Sequence, residues 1–259
     1  LFTATSAVCV TGLIVVDTAT YFTTFGQVII MGLIQIGGLG ILTFVTYFSY
    51  FFKGGVSYET QASISEMSHM SGMSDVVSTL KSILYVTFVV EAVAAALIYV
   101  SIYNIESMDW SEQLFFSVFH AVSAFCNAGF STFSAGLYDD SLRFNYPLQL
   151  IIVTTFIFGG MGFTIVVNVL RYLRYRAQRL LYRNDQRCAY QPWLLNINSR
   201  ITLIMTGALL LIGVVGVMIF EYNSVLAEHT SFFGKLVTAF FTGATPRTAG
   251  FNRDRKSVV

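Results

Sequence analysis

The chain alternates between long uncharged apolar stretches and short polar intervals. Its period is that of membrane-spanning helices, not of amphipathic surface helices. A bilayer crossing needs about 20 largely apolar residues, and four segments meet that: Tyr21–Phe52, Ser82–Tyr103, Leu148–Leu170 and Ile201–Phe220. The first is long enough to tilt or to contain a break. Between them lie apolar pieces too short to cross, notably Gln113–Phe125 and Phe232–Phe241. Pieces of that length read as re-entrant or interfacial segments. The pattern therefore predicts an all-α polytopic membrane protein.

Composition agrees. Of 259 residues 55% are hydrophobic and only 11% charged, whereas a soluble domain carries about a quarter charged residues. The charges cluster: six arginines fall between Arg171 and Arg187. Lysine and arginine counts in short loops set orientation. The loops Lys53–Lys81 and Arg171–Arg200 are basic, and the opposite loops carry Glu106, Asp109, Glu112, Asp139, Asp140, Glu221 and Glu228. The basic set is expected to be cytoplasmic, with the short segments entering from outside. Cys9, Cys126 and Cys188 give no disulfide framework. No charged n-region precedes an apolar stretch, so no signal peptide is expected. The opening in mid-motif at Leu1-Phe2-Thr3 suggests a missing upstream part.

An internal repeat carries the functional signal. Residues Phe2–Leu13 match Phe119–Phe130, with Phe, Ala, Ser, Ala, Cys and Gly identical at six of twelve positions. A third copy, Phe240–Phe251, keeps the closing Thr248-Ala249-Gly250-Phe251. The glycines are 129 − 12 = 117 and 250 − 129 = 121 residues apart. After each of the first two comes a glycine cluster, Ile36-Gly37-Gly38-Leu39-Gly40 and Phe158-Gly159-Gly160-Met161-Gly162. The unit is spanning helix, short re-entrant helix, glycine-ended loop, spanning helix.

Cation conduction follows from that unit. A re-entrant helix aims its partly negative C-terminal end at the membrane interior. The extended loop after it leaves carbonyls unsatisfied, which is tolerated at that depth only along a water or ion path. Such carbonyls replace the water shell of a dehydrated cation, and glycine permits the backbone angles that turn them inward.

These motifs resemble the Trk/Ktr/HKT superfamily of potassium transporters, and within it the KtrB/TrkH-type membrane subunit. They are Ala7-Val8-Cys9-Val10-Thr11-Gly12-Leu13, Ser123-Ala124-Phe125-Cys126-Asn127-Ala128-Gly129-Phe130 and Thr245-Pro246-Arg247-Thr248-Ala249-Gly250-Phe251-Asn252. The resemblance implies M1–pore helix–filter loop–M2 repeats around a pseudo-fourfold pore, incomplete here. Residues 1–52 would be the end of repeat 1, 79–176 repeat 2 and 199–253 the start of repeat 3, with 254–259 a non-native tail. Gly12, Gly129 and Gly250 would be filter glycines. The carbonyls of Val10, Thr11, Asn127, Ala128, Thr248 and Ala249 would contact potassium, with no side-chain metal site and no cofactor. The resemblance further implies potassium uptake with sodium coupling possible, and a homodimer on a cytoplasmic nucleotide-binding ring. The setting would be the bacterial cytoplasmic membrane and its lipid, with no nucleic acid and no enzymatic activity. The family's gating loop would lie on a third inner helix that this chain lacks.

Other residues have plainer readings beside functional ones. The glycine clusters are expected to let inner helices bend or pack closely, since neither sits between a strand and a helix as a phosphate loop would. Glu91, mid-span, is functional by default, but the favoured reading is a hydrogen bond to the back of a pore loop. Arg247 is expected to point away from the ion path. Asp17 and the outer acids either concentrate cations or are ordinary loop acids. The arginine loop satisfies the positive-inside rule and secondarily offers a lipid or regulatory contact. His120 and Ser123, one turn apart, invite an intramembrane protease reading, which is rejected because Ser6 matches Ser123 where no histidine stands. The rival class is a secondary transporter with broken helices binding a small solute at the midplane.

Overall fold

The computed structural model describes residues 1–40, 73–103, 108–134, 136–139, 142–162, 165–170, 172, 175–176, 197–229, 231–248 and 251. Its elements are helical: α1 (Phe2–Val8), α2 (Thr18–Tyr21), α3 (Thr24–Leu39), α4 (Met73–Ile102), α5 (Trp110–Phe125), α6 (Tyr146–Gly160), α7 (Ile197–Phe220) and α8 (Phe232–Thr248). Two of them contain stretches long and apolar enough to cross a bilayer, Lys81–Ile102 and Ser199–Phe220. Their outward residues are bare apolar groups, among them Tyr85, Val100, Ile204, Leu211 and Phe220. So large an uncovered apolar surface marks a lipid-facing side.

The other two expected spans are interrupted. The segment from Tyr21 starts with the single turn α2, and α3 stops at Gly40, where φ is +81°; residues 41–52 lie outside the described set. In the segment Leu148–Leu170, α6 stops at Gly160, Gly162 takes φ +85°, and helix resumes over 165–170. Both breaks fall at the third glycine of the cluster. Left-handed backbone costs an ordinary residue roughly 1–2 kcal/mol and glycine almost nothing.

Local sequence sets the helix starts. Thr23 Oγ1 accepts from the Gly26 amide at 3.3 Å. The Asp109 amide donates to Glu112 Oε2 at 3.3 Å, one half of a capping box. Asn145 Oδ1 accepts from the Leu148 amide at 3.1 Å with Pro147 in the first turn. Asn145 Nδ2 also donates to the Ser101 carbonyl at 2.8 Å, so this cap ties the start of α6 to the end of α4. Each such cap contributes about 1 kcal/mol.

Packing repeats as the sequence does. The pore helix α5 sits among its own outer helix α4, its own inner helix α6 and the preceding inner helix α3. The pore helix α8 sits likewise against α7 and α6. Two buried clusters result. One joins Ala7, Ile30 and Ile34 of repeat 1 to Phe119, Val122, Cys126, Ala128 and Phe130 of repeat 2. The other joins Ile152 and Phe156 of repeat 2 to Phe241, Ala244 and Phe251 of repeat 3. In each, the apolar residue after a loop glycine, Phe130 or Phe251, is seated in the preceding repeat.

Candidate pore loops

Two of the three expected loops lie within the described residues, and they are built alike. α1 ends at Val8 with Cys9 as its cap, and α5 ends at Phe125 with Cys126 as its cap, both caps right-handed. The next residue turns left-handed, Val10 at φ +54° and Asn127 at +59°. The glycines close each loop at φ +74° for Gly12 and +72° for Gly129. The Val10 amide donates to the Ala7 carbonyl at 3.2 Å, and Asn127 to Ala124 at 3.0 Å. The Thr11 amide donates to Ser6 at 3.0 Å, and Ala128 to Ser123 at 2.8 Å. Asparagine tolerates positive φ; a β-branched valine there is a genuine outlier. Such strain persists only where its surroundings over-determine it, and here the Ser6 and Thr11 hydroxyls lock across the turn at 2.8 Å.

The amides of these loops are spent on the pore helices. Among the described residues no hydrogen bond reaches the carbonyls of Val10, Thr11, Asn127 or Ala128. The two loops stand side by side: a Cβ added to Gly12 would be 2.5 Å from the Ala128 carbonyl oxygen and 3.9 Å from the Gly129 Cα. The Ala128 carbonyl oxygen thus lies against Gly12 of the neighbouring loop, and among the described residues no cluster of His, Cys, Asp or Glu could hold a metal. Unpartnered backbone carbonyls of this kind are the groups that can replace the water shell of a dehydrated cation.

The third loop differs. Pro246, Arg247 and Thr248, which align with Val8, Cys9 and Val10, continue α8 for two further residues. Pro246 stands inside the helix, where it has no amide to donate, yet the helix runs on and Thr248 is its last residue instead of a left-handed turn. Its carbonyl falls among the last four of the helix, which lack intrahelical partners. Ala249, Gly250 and the Arg247 side chain lie outside the described residues. Phe251 is buried and stacks on Phe156 with ring centres 6.5 Å apart.

The glycine clusters prove to be sockets for the pore helices. A Cβ on Gly37 would overlap the Val8 carbonyl, and one on Gly159 the Phe125 carbonyl. Val8 and Phe125 are the equivalent last residues of the two pore helices. Gly38 receives the Cys126 side chain of the next repeat, so α3 braces two pore loops. The expectation of close packing holds, but its object, the carbonyl end of each pore helix, is not legible in the sequence.

Glu91 lies behind loop 2. Its Oε2 accepts from Gln35 Nε2 at 3.1 Å, and its Oε1 lies 3.9 Å from the Cys126 thiol. Gln35 Oε1 is buried without a partner among the described residues. We expect Glu91→Gln to be tolerated, because its amide can donate to that oxygen once Gln35 flips. Glu91→Ala strands buried groups at about 1–3 kcal/mol, and thermal unfolding of the purified complete protein in detergent measures the difference.

Asp17 and Glu228 have structural partners. Asp17 caps α2, accepting from the Ala19 amide at 2.9 Å. Glu228 pairs with Arg143 and accepts from Tyr138 at 3.2 Å. His120 and Ser123 do not face each other: His120 Nε2 meets Ser131 Oγ at 3.1 Å, and Ser123 Oγ donates to the Phe130 carbonyl at 2.8 Å. That leaves no nucleophile–base pair between them.

Fold and loops together define a helical membrane protein in which two glycine-ended loops of one backbone conformation stand side by side. The chain belongs to the TrkH cation transport protein family, whose model matches residues 1–253. It is 37% identical over 259 residues to Ktr system potassium uptake protein B of Bacillus subtilis (strain 168), covering 97% of this chain and 52% of the relative. It is 37% identical over 255 residues to the Ktr system potassium uptake protein B of Vibrio alginolyticus, covering 97% of this chain and 51% of the relative. It is 34% identical over 251 residues to the potassium/sodium uptake protein NtpJ of Enterococcus hirae, again 97% and 51%. The chain thus spans about half the length of the curated relatives it matches.

Proposed function

We propose that the complete protein carries potassium across the bacterial cytoplasmic membrane through a ring of backbone carbonyls, with sodium as a possible coupled ion and no cofactor. One observation carries this reading: two loops of the same unusual backbone, with unpartnered carbonyls, stand side by side at Gly12 and Ala128. The relatives' names supply the ion. Val10, Thr11, Asn127 and Ala128 provide the first two sets of ligands, and Thr248 and Ala249 the third, with Gly12, Gly129 and Gly250 closing the loops. In a fourfold ring, Leu13, now exposed, would be covered by a fourth repeat as Phe130 and Phe251 are covered by the first and second. A homodimer seated on a cytoplasmic nucleotide-binding ring fits the same reading. The test is growth of a potassium-uptake-deficient bacterium expressing the complete protein, with rubidium-86 uptake measured alongside. Uptake of rubidium above the empty-vector level is expected; a normally inserted protein giving none overturns the proposal.

The same reading fixes orientation. The loops holding Arg143 and Glu228, both assigned outside, meet through that ion pair and through Tyr146 and His229 at 3.1 Å. Gln178→Cys, in the arginine loop, is expected to resist an impermeant thiol reagent in intact cells and to react after permeabilisation.

A further inference from the structure

His120 is fully buried and touches the exits of two pore loops at once. Its Nδ1 lies 2.9 Å from the Phe116 carbonyl one turn back, which can only accept, so Nδ1 carries the proton. Nε2 must then accept, and its partner is the Ser131 hydroxyl at 3.1 Å. Ser131 Oγ in turn accepts from the Phe133 amide at 3.1 Å. Each hydrogen in this chain has a single direction. Ser131 stands two residues beyond Gly129, and the preceding Phe130 is held by its carbonyl to Ser123. On its flat side the imidazole stacks against Phe116 with centres 3.9 Å apart. It also lies nearly parallel to Phe251, at 6.4 Å and 22°, one residue beyond Gly250. The positions that align with His120 are Thr3 in repeat 1 and Phe241 in repeat 3, and Ser131 aligns with Ile14. The strap therefore occurs once in the three repeats, at the junction of loops 2 and 3.

We propose that His120 is a positioning residue for ion selectivity, holding the exit of loop 2 through Ser131 and the exit of loop 3 through Phe251 so that the carbonyls of both keep one spacing. This inference rests on the carbonyl-filter reading above. A carbonyl ring discriminates between cations by the number and placement of its oxygens. Anchors one and two residues past the glycines control that placement without touching the ion.

The test uses the complete protein with rubidium-86 and sodium-22 uptake measured side by side. Ser131→Ala removes the hydroxyl and leaves the histidine. His120→Asn keeps the bond to Phe116, since its amide nitrogen falls near Nδ1, and loses the reach to Ser131. Each is expected to lower the rubidium-to-sodium ratio by about fivefold, the equivalent of one hydrogen bond. The double variant should fall no further than the single ones, because both remove the same bond. His120→Gln, which restores an acceptor at the reach of Nε2, should recover most of the ratio. Where His120→Asn fails to reach the membrane, Ser131→Ala decides alone. An unchanged ratio in Ser131→Ala at normal membrane level overturns the proposal, as do additive losses in the double variant. Gly12→Ser run in parallel separates the two levels: if it shifts the ratio while Ser131→Ala does not, only the strap is lost; if neither shifts it, the filter reading falls with it.

Discussion

Gly12→Ser in the complete protein is expected to cut rubidium uptake by more than tenfold and to raise sodium permeation relative to it. Two effects act together. Gly12 holds φ +74°, where a side chain costs roughly 1–2 kcal/mol. The added Cβ would also stand 2.5 Å from the Ala128 carbonyl oxygen, one of the proposed ion ligands, and well inside van der Waals contact. Relief requires that oxygen to move, and it belongs to the neighbouring loop. A single substitution in repeat 1 thus disturbs the ligands of repeat 2. A change of ~1.4 kcal/mol in the balance between two ions alters their ratio tenfold. Paired rubidium-86 and sodium-22 uptake measures it. An unaltered ratio in a normally inserted Gly12→Ser protein removes both loops from the ion path.

Gly159→Ala is expected to abolish uptake, although it adds one methyl group to a helix. That methyl would occupy the position of the Phe125 carbonyl, with the side-chain Nδ2 of Asn127 3.0 Å away. Neither α5 nor α6 can yield without shifting the loop that α5 delivers. Overpacking of a tight site typically costs 1–3 kcal/mol, and here the strain falls on the filter entrance. Gly32→Ala and Gly207→Ala are the controls. A Cβ on either meets nothing within 4 Å, and alanine favours a helix interior by about 1 kcal/mol. Uptake should persist in both. Equal tolerance of alanine at 32, 207 and 159 would mean that α5 and α6 do not meet as described.

The helical class, the lipid-facing spans and the non-spanning pore helices were all legible from apolar run length, because a bilayer of fixed thickness imposes it. The backbone turn shared by the first two copies was legible too. Six shared residues ending in glycine predict one backbone, and Val10 and Asn127 do adopt the same left-handed turn despite their different side chains. The sequence placed Gly12 and Gly129 in that turn because glycine takes their positive φ without strain.

What it did not determine was who touches whom. A break in Tyr21–Phe52 and a bend at either glycine cluster were open from sequence, but only the structure set the breaks at Gly40 and Gly162, since apolarity is blind to backbone hand. The third loop shares the Ala-Gly-Phe ending of the second, but its helix runs on past Pro246 through Thr248. The glycine clusters announced close packing, and only the tertiary structure named the partners as Val8, Cys126 and Phe125. The same holds for His120, whose ties to Ser131 and Phe251 join residues 11 and 131 positions apart. Periodicity and local backbone preference are properties of neighbouring residues, so the chain alone sets the elements and the turn. The level at which one loop's carbonyl meets another's glycine depends on how helices from different repeats pack, and that is decided only when they do.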